Sequence, residues 1–217
     1  MAVAPGAQLR KDARQERRRR RIAHSALELF ATRGYNMTSV EDVVAKARMS
    51  KSAFYEFFAS KEDCFRDLLL EEGGALIQET LAAAATGRDH HERLRLGITT
   101  FVRTCFQQSS VARLLIVESV GLSQGVDEVR HDLQSRFADA VAEEVRHATL
   151  HDPFYKDKDP QVFGRAMVGG VNDAVTYYLT HPGVDADSLA EGLCRIFAPQ
   201  VSELRQLERE QHERNQD

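Results

Sequence analysis

The chain has 217 residues, 42% of them hydrophobic and 29% charged, with a formal net charge of −4. That length is enough for a sizeable core, and no apolar run approaches the roughly 20 residues of a membrane-spanning helix, so no membrane partner is expected. Cys64, Cys105 and Cys194 are odd in number and far apart, which excludes a disulfide framework; none has a cysteine or histidine at metal-ligand spacing, and neither metal nor cofactor is expected.

The net charge hides an asymmetry. Residues 1–61 hold 13 Lys and Arg against 6 Asp and Glu, whereas the remainder holds 16 against 27. A basic head on an acidic body points to a polyanion met by the head alone. Met1 to Gln8 is small and polar and leads into a basic run rather than an apolar signal core, so a cytoplasmic location is expected.

Periodicity is helical nearly throughout and no run alternates as a strand would, which predicts an all-α fold of about nine helices. Residues 1–13 read as a flexible basic arm. The first helix is expected from Arg14 to Thr32, with Ile22, Ala26, Leu29 and Phe30 on one buried face and Gly34 ending it. Thr38 and Glu41 form a Thr-x-x-Glu capping box for a second helix striped by Val40, Val43, Val44 and Ala47. Ser50 caps a third, with Phe54, Phe57 and Phe58 facing inward. Ser60 caps a fourth, with Asp63 at its N3 position. The connection Ala47 to Ser50 is so short that helices two and three form a helix-turn-helix, placing a DNA-binding domain at 14–63. Five further helices are expected near 91–107, 111–120, 126–150, 161–180 and 186–208, with a polar tail after about Leu207. His90 and His91, adjacent and about 100° apart on a helix, make a poor chelate and read as a solvated helix start.

The stretch from Phe30 to Asp63 resembles the DNA-binding region of the TetR family of regulators. The matching residues are Phe30-Ala31-x-x-Gly34-Tyr35, Thr38-Ser39-Val40-x-x-Val43-Val44-x-x-Ala47, Met49-Ser50-Lys51-Ser52-x-Phe54-Tyr55-x-Phe57-Phe58 and Ser60-Lys61-Glu62. Three positions depart from the family pattern. Arg48 stands where glycine is usual, which calls either for an uncommon backbone conformation or for a slightly different turn. Ser52 stands where glycine or another small residue is common, and Phe57 where His or Tyr is frequent.

Chemistry and resemblance converge on one set of DNA contacts. Lys51, Ser52 and Tyr55 share the face of helix three opposite its phenylalanines, a pattern suited to a helix whose N-terminal end enters the major groove. Thr38 and Ser39 at the start of helix two, and Ser50 at the start of helix three, sit where free N–H groups favour a phosphate. Lys61 could clamp another, and Arg17 and Arg18 could reach backbone or minor groove. Plain capping would also explain Thr38, Ser50 and Ser60, and a solvated charge would explain Lys51.

One helix-turn-helix reads only a half-site, so a homodimer on a palindromic operator in double-stranded DNA is expected. The resemblance implies that the last two helices form a four-helix dimer bundle, with Phe163, Met167, Gly170, Val171, Ala174, Tyr178, Leu193, Phe197 and Val201 at the interface; the same faces could serve only the protomer's own core. It also implies that residues 64–217 enclose a pocket for a small-molecule effector, with Phe101, Cys105, Val117, Glu118, Phe137, His147 and Asn172 as lining candidates. The expected function is a ligand-released repressor. A helical module without DNA binding is the alternative; no nucleophile–base pair or phosphate loop supports an enzyme.

Overall fold

A computed structural model of the chain describes residues 5–150, 152–181 and 183–199. Its elements are α1 (Pro5–Arg33), α2 (Val40–Ala47), α3 (Lys51–Tyr55), α4 (Lys61–Ala84), α5 (His90–Gln107), α6 (Ser109–Ala112) continuing as a π-helical segment (Arg113–Glu118), α7 (Gln124–Ala148), α8 (Pro160–Thr180) and α9 (Ala186–Phe197). No strand occurs among the described residues, and the fold is all-α. The chain packs as two compact units: residues up to Gly73 with Ser110–Arg130, and Gly74–Ser109 with the residues from His131 on.

In the first unit, α1 begins well before the expected Arg14. Pro5 has its φ preset for a first turn, and past Gly6 the Ala, Gln, Leu, Arg and Lys that follow are good helix formers, which carries the helix across residues read as an arm. Ile22, Ala26, Leu29 and Phe30 form the buried stripe. Gly34 ends the helix at φ 87°, its N–H donating to the Phe30 carbonyl. The rings of Phe30, Tyr35 and Phe65 then pack with centroids 5.2–5.4 Å apart.

The capping box of α2 falls one residue later than expected. Ser39 Oγ accepts from the Asp42 N–H at 3.1 Å, and an Asp42 carboxylate oxygen accepts from the Ser39 N–H at 2.8 Å. Thr38 is unavailable because its buried hydroxyl donates to the Gly34 carbonyl at 2.9 Å, closing the turn after α1. Of the two alternatives at Arg48, the structure has the uncommon backbone: the residue is left-handed (φ 52°, ψ 49°), and its N–H and that of Met49 donate to the Ala45 and Val44 carbonyls. Ser50 Oγ caps α3 by accepting from the Ala53 N–H, and Ser60 Oγ caps α4 by accepting from that of Asp63. Phe54 and Phe58 are buried, while Phe57 is half-buried beneath the Arg18 guanidinium. The π-helical segment grips the end of α1: Arg113 Nε donates to the Ala31 carbonyl, and Glu118 Oε2 accepts from the Tyr35 N–H.

In the second unit, α5 packs on α8 and α9. Gly164 of α8 lies so close to α7 that a Cβ there would sit 2.4 Å from the Ala138 carbonyl oxygen. His90 and His91 start α5 as expected, with Asp89 as the cap, but His91 is buried and His90 half-buried rather than both solvated. His91 is buried with Nε2 2.5 Å from Asp152 Oδ2, because the turn after α7 folds Asp152, Phe154 and Tyr155 onto this helix start, and His90 Nδ1 lies 2.5 Å from Oε1 of Glu144 in α7 itself. Tyr155 in that turn is fully buried and donates to the Phe197 carbonyl. Helix α9 stops at Phe197 rather than running toward Glu208, since Pro199 has no N–H to offer and disfavours helical backbone at Ala198. Residues after Pro199, including Val201 and the expected polar tail, lie outside the described residues.

Candidate nucleic-acid interface and effector cavity

Helix α3 divides its side chains cleanly. Ala53 and Phe54 are buried, while Lys51, Ser52 and Tyr55 face solvent, Tyr55 at 50% exposure. A tyrosine left that open places a flat apolar ring and a hydroxyl where a groove could receive them. Lys51 Nζ pairs with Glu41 Oε1 at 2.5 Å; the bond raises the lysine's pKa and lowers the carboxylate's, so both stay charged at neutral pH. Ser39 and Ser50 are exposed, but their oxygens already cap α2 and α3. Thr38 and Lys61 are turned inward. The Lys61 ammonium donates to the Tyr35 and Thr38 carbonyls at 2.9 Å each and lies 3.9 Å from the Tyr35 ring centroid, and burial holds its pKa below the ordinary lysine value.

The arginine run is sorted by its partners. Arg19 bonds Glu16, Asp67 and Glu71, fastening α1 to α4. Arg20 pairs with Glu16, and Arg18 pairs with Glu56 at 2.8 Å next to the end of α3. Arg10, Arg14, Arg17 and Arg21 recur at i, i+4, i+7 and i+11, are exposed, and take part in no ion pair among the described residues. They form one cationic stripe about 16 Å long at 1.5 Å per residue.

The second unit forms a half-open cavity of about 250 Å³ between α4, α5, α7 and α8. Phe101, Phe137 and Asn172 line it. Cys105 is buried, its thiol pushed up to about 12 by loss of solvation, and is not part of the wall. Val117 and Glu118 belong to the first unit, and His147 is exposed on α7. Thr80, Leu81, Arg93 and Glu144 are among the other residues of the wall and escaped sequence reasoning. Thr80 had one signal: a hydroxyl four residues from Leu76 and from Ala84 on the inward face of α4.

Of the residues assigned to the dimer, Met167 and Val171 line this cavity and Leu193 is buried in the unit's own core. Phe163, Ala174, Tyr178 and Phe197 are half-buried, and Gly170 is exposed beside the Phe197 ring. The outward stripe of α8 consists of Val162, Ala166, Gly169, Gly170, Asp173 and Tyr177, with Gly192 and Ile196 exposed on α9. Among the described residues no cluster of three or more metal-ligating side chains occurs, and no helix is long and apolar enough to cross a membrane.

Residues 22–68 match the model of the bacterial regulatory proteins of the tetR family. The chain is 24% identical over 180 residues to the HTH-type transcriptional activator FasR of Mycolicibacterium smegmatis, covering 82% of this chain and 80% of that one. Among solved structures it is similar to the fatty acid degradation regulator FadR from Bacillus halodurans, with a TM-score of 0.77 at 14% identity over 93% of this chain and 98% of that one. It is also similar to AibR, solved in complex with isovaleryl coenzyme A and operator DNA, with a TM-score of 0.70 at 18% identity over 85% and 100% of the two chains.

Proposed function

We propose, from the premise that the chain belongs to the TetR family of bacterial regulatory proteins, that it is a cytoplasmic repressor which binds a palindromic operator as a homodimer and leaves it when a small molecule fills the cavity. The chain is a transcription regulator and not an enzyme. The observation that carries the operator reading is the outward set Lys51, Ser52 and Tyr55 on α3, backed by buried Phe54 and Phe58. The lysine and the two hydroxyls can meet phosphates and base edges, while the helix stays seated on its apolar back. Lys51 exchanges Glu41 for a phosphate on binding. Ser39, Ser50 and Ser52 flank the contact, and Thr38 and Lys61 hold the α1–α2 turn behind it. Arg17, with Arg10, Arg14 and Arg21, follows the phosphate backbone, and Arg18 orients the end of α3 through Glu56.

The outward stripe of α8 with Gly192 and Ile196 of α9 is the face proposed to meet a second copy. It is apolar at both ends, and Gly169 has open space around it, which lets another helix approach closely. Support for a ligand comes from the cavity and from AibR, which binds both a ligand and operator DNA. A ligand that favours a dimer with its recognition helices off groove spacing lowers operator affinity by the coupling free energy, about 1–3 kcal/mol in typical cases.

Titration of labelled DNA from upstream of the gene, at several salt concentrations, tests this reading. Saturable, sequence-selective binding is expected, with log K falling linearly in log salt by about 0.9 per phosphate contacted. The rival reading, a helical module without DNA binding, requires that no selective binding occur in the same titration.

A further inference from the structure

The face that would meet DNA is not purely cationic. Glu41, at the second position of α2, has its side chain 62% exposed and holds Lys51 Nζ at 2.5 Å. Its carboxylate therefore stands on the surface that carries Lys51, Ser52 and Tyr55. The bond to Lys51 keeps its pKa below the ordinary carboxylate value, so it is charged at neutral pH. The neighbouring acids are engaged in the scaffold itself: Asp42 in the cap of α2, and Glu56 with Arg18. Lys51 is the ion-pair partner of Glu41 among the described residues.

An acid in the first turn of a helix is favoured by the helix dipole, which accounts for Glu41 in the free protein. It does not account for the bound state. Once Lys51 turns to a phosphate, Glu41 is left as an exposed carboxylate beside a polyanion, and an ionised carboxylate can only accept hydrogen bonds. The repulsion is offset only where the groove presents an N–H. The major groove presents two, cytosine N4 and adenine N6. Adenine N6 lies next to N7, an acceptor whose lone pair would face the carboxylate, whereas the neighbour of cytosine N4 is a C–H. A carboxylate at this place therefore favours cytosine and penalises every other base.

We infer that Glu41 is a specificity-determining residue of the DNA interface, its carboxylate accepting a hydrogen bond from the exocyclic N4 amine of one cytosine in each operator half-site. This rests on the operator reading of α3 and names a base that the operator must contain.

Anisotropy titration of the full chain tests it, using the operator fragment and duplexes in which each base pair is exchanged in turn in both half-sites. Wild type is expected to lose about tenfold or more in affinity when one particular C·G pair is changed. Replacing that cytosine by 2-pyrimidinone, which lacks only the N4 amine, should weaken wild type about equally. Glu41→Ala should be indifferent to both changes and keep the wild-type ranking at the other pairs. It should also bind unrelated DNA about threefold tighter than wild type, since a repelled charge is gone. A role confined to fastening α2 to α3 would shift all duplexes alike. Glu41→Gln, whose amide suits adenine N6 and N7 together, should bind the adenine variant at least as tightly as the cytosine one. The Glu41–Lys51 pair is exposed, so both variants should melt as wild type does. Selective binding by wild type with a base profile that Glu41→Ala leaves unchanged overturns the inference alone. Absence of selective binding overturns the operator reading and this inference with it.

Discussion

The two units differ in what they leave outside their internal bonds. Both cap their helices locally, as Ser39 does with Asp42 and Asp185 with Ser188, and both join helices by longer-range bonds, as Arg19 does with Asp67 and Tyr155 with Phe197. The first leaves Arg10, Arg14, Arg17, Arg21 and Tyr55 exposed on its outside, whereas the second gathers a largely apolar wall around a cavity. One buried hydroxyl there, that of Thr80, has no hydrogen-bond partner. A surface that must offer the same side chains to an external polymer is well served by a scaffold fastened from behind, as α1 is to α4 through Arg19. A cavity can be enclosed only by residues distant in sequence, and its chemistry follows from which of them meet.

The sharpest break of this contrast is Tyr55→Ala. It should weaken operator binding by about 100-fold or more while leaving dimer and thermal stability unchanged, as read by anisotropy beside sedimentation and melting. Unchanged affinity would remove α3 from the interface. Gly164→Ala tests the other unit: its Cβ meets backbone, so a drop of about 1–3 kcal/mol in unfolding free energy is expected. The head's surface residues are untouched by that change.

A smaller effect separates the arginines. Replacing Arg14, Arg17 or Arg21 by Ala should flatten the salt dependence of operator binding by about 0.9 for each phosphate left without its arginine, with stability preserved. Arg19→Ala should leave the slope alone and instead cost on the order of 1 kcal/mol of stability, since its bonds to Asp67 and Glu71 hold α1 to α4. Smallest is Arg48→Gly, which relieves a left-handed residue and should gain less than about 1 kcal/mol, the freed chain entropy offsetting part of the relief. Chemical denaturation measures both.

Legibility in the sequence followed the reach of each contact along the chain. The buried stripes of α1 and α2, the glycine stop at Gly34 and the outward face of α3 were all readable, because each depends on spacing within one or two turns. The capping box was displaced by one residue because Thr38 is drawn into the turn after α1, a packing outcome invisible to the pattern Thr-x-x-Glu. His90 and His91 misled for a related reason: only the fold brings Glu144, Asp152 and Tyr155 onto them.

From its order of residues alone, this protein is a helical chain with a basic helix-turn-helix head, since helix period, caps and turn residues act over distances of a few positions. Tertiary packing decided which arginines are fastened and which remain open. It set Met167 and Val171 against a cavity rather than at an outer face, and left the Thr80 hydroxyl without a partner. Those outcomes depend on side chains dozens of residues apart competing for the same space and the same hydrogen bonds, and no local pattern encodes which of them wins.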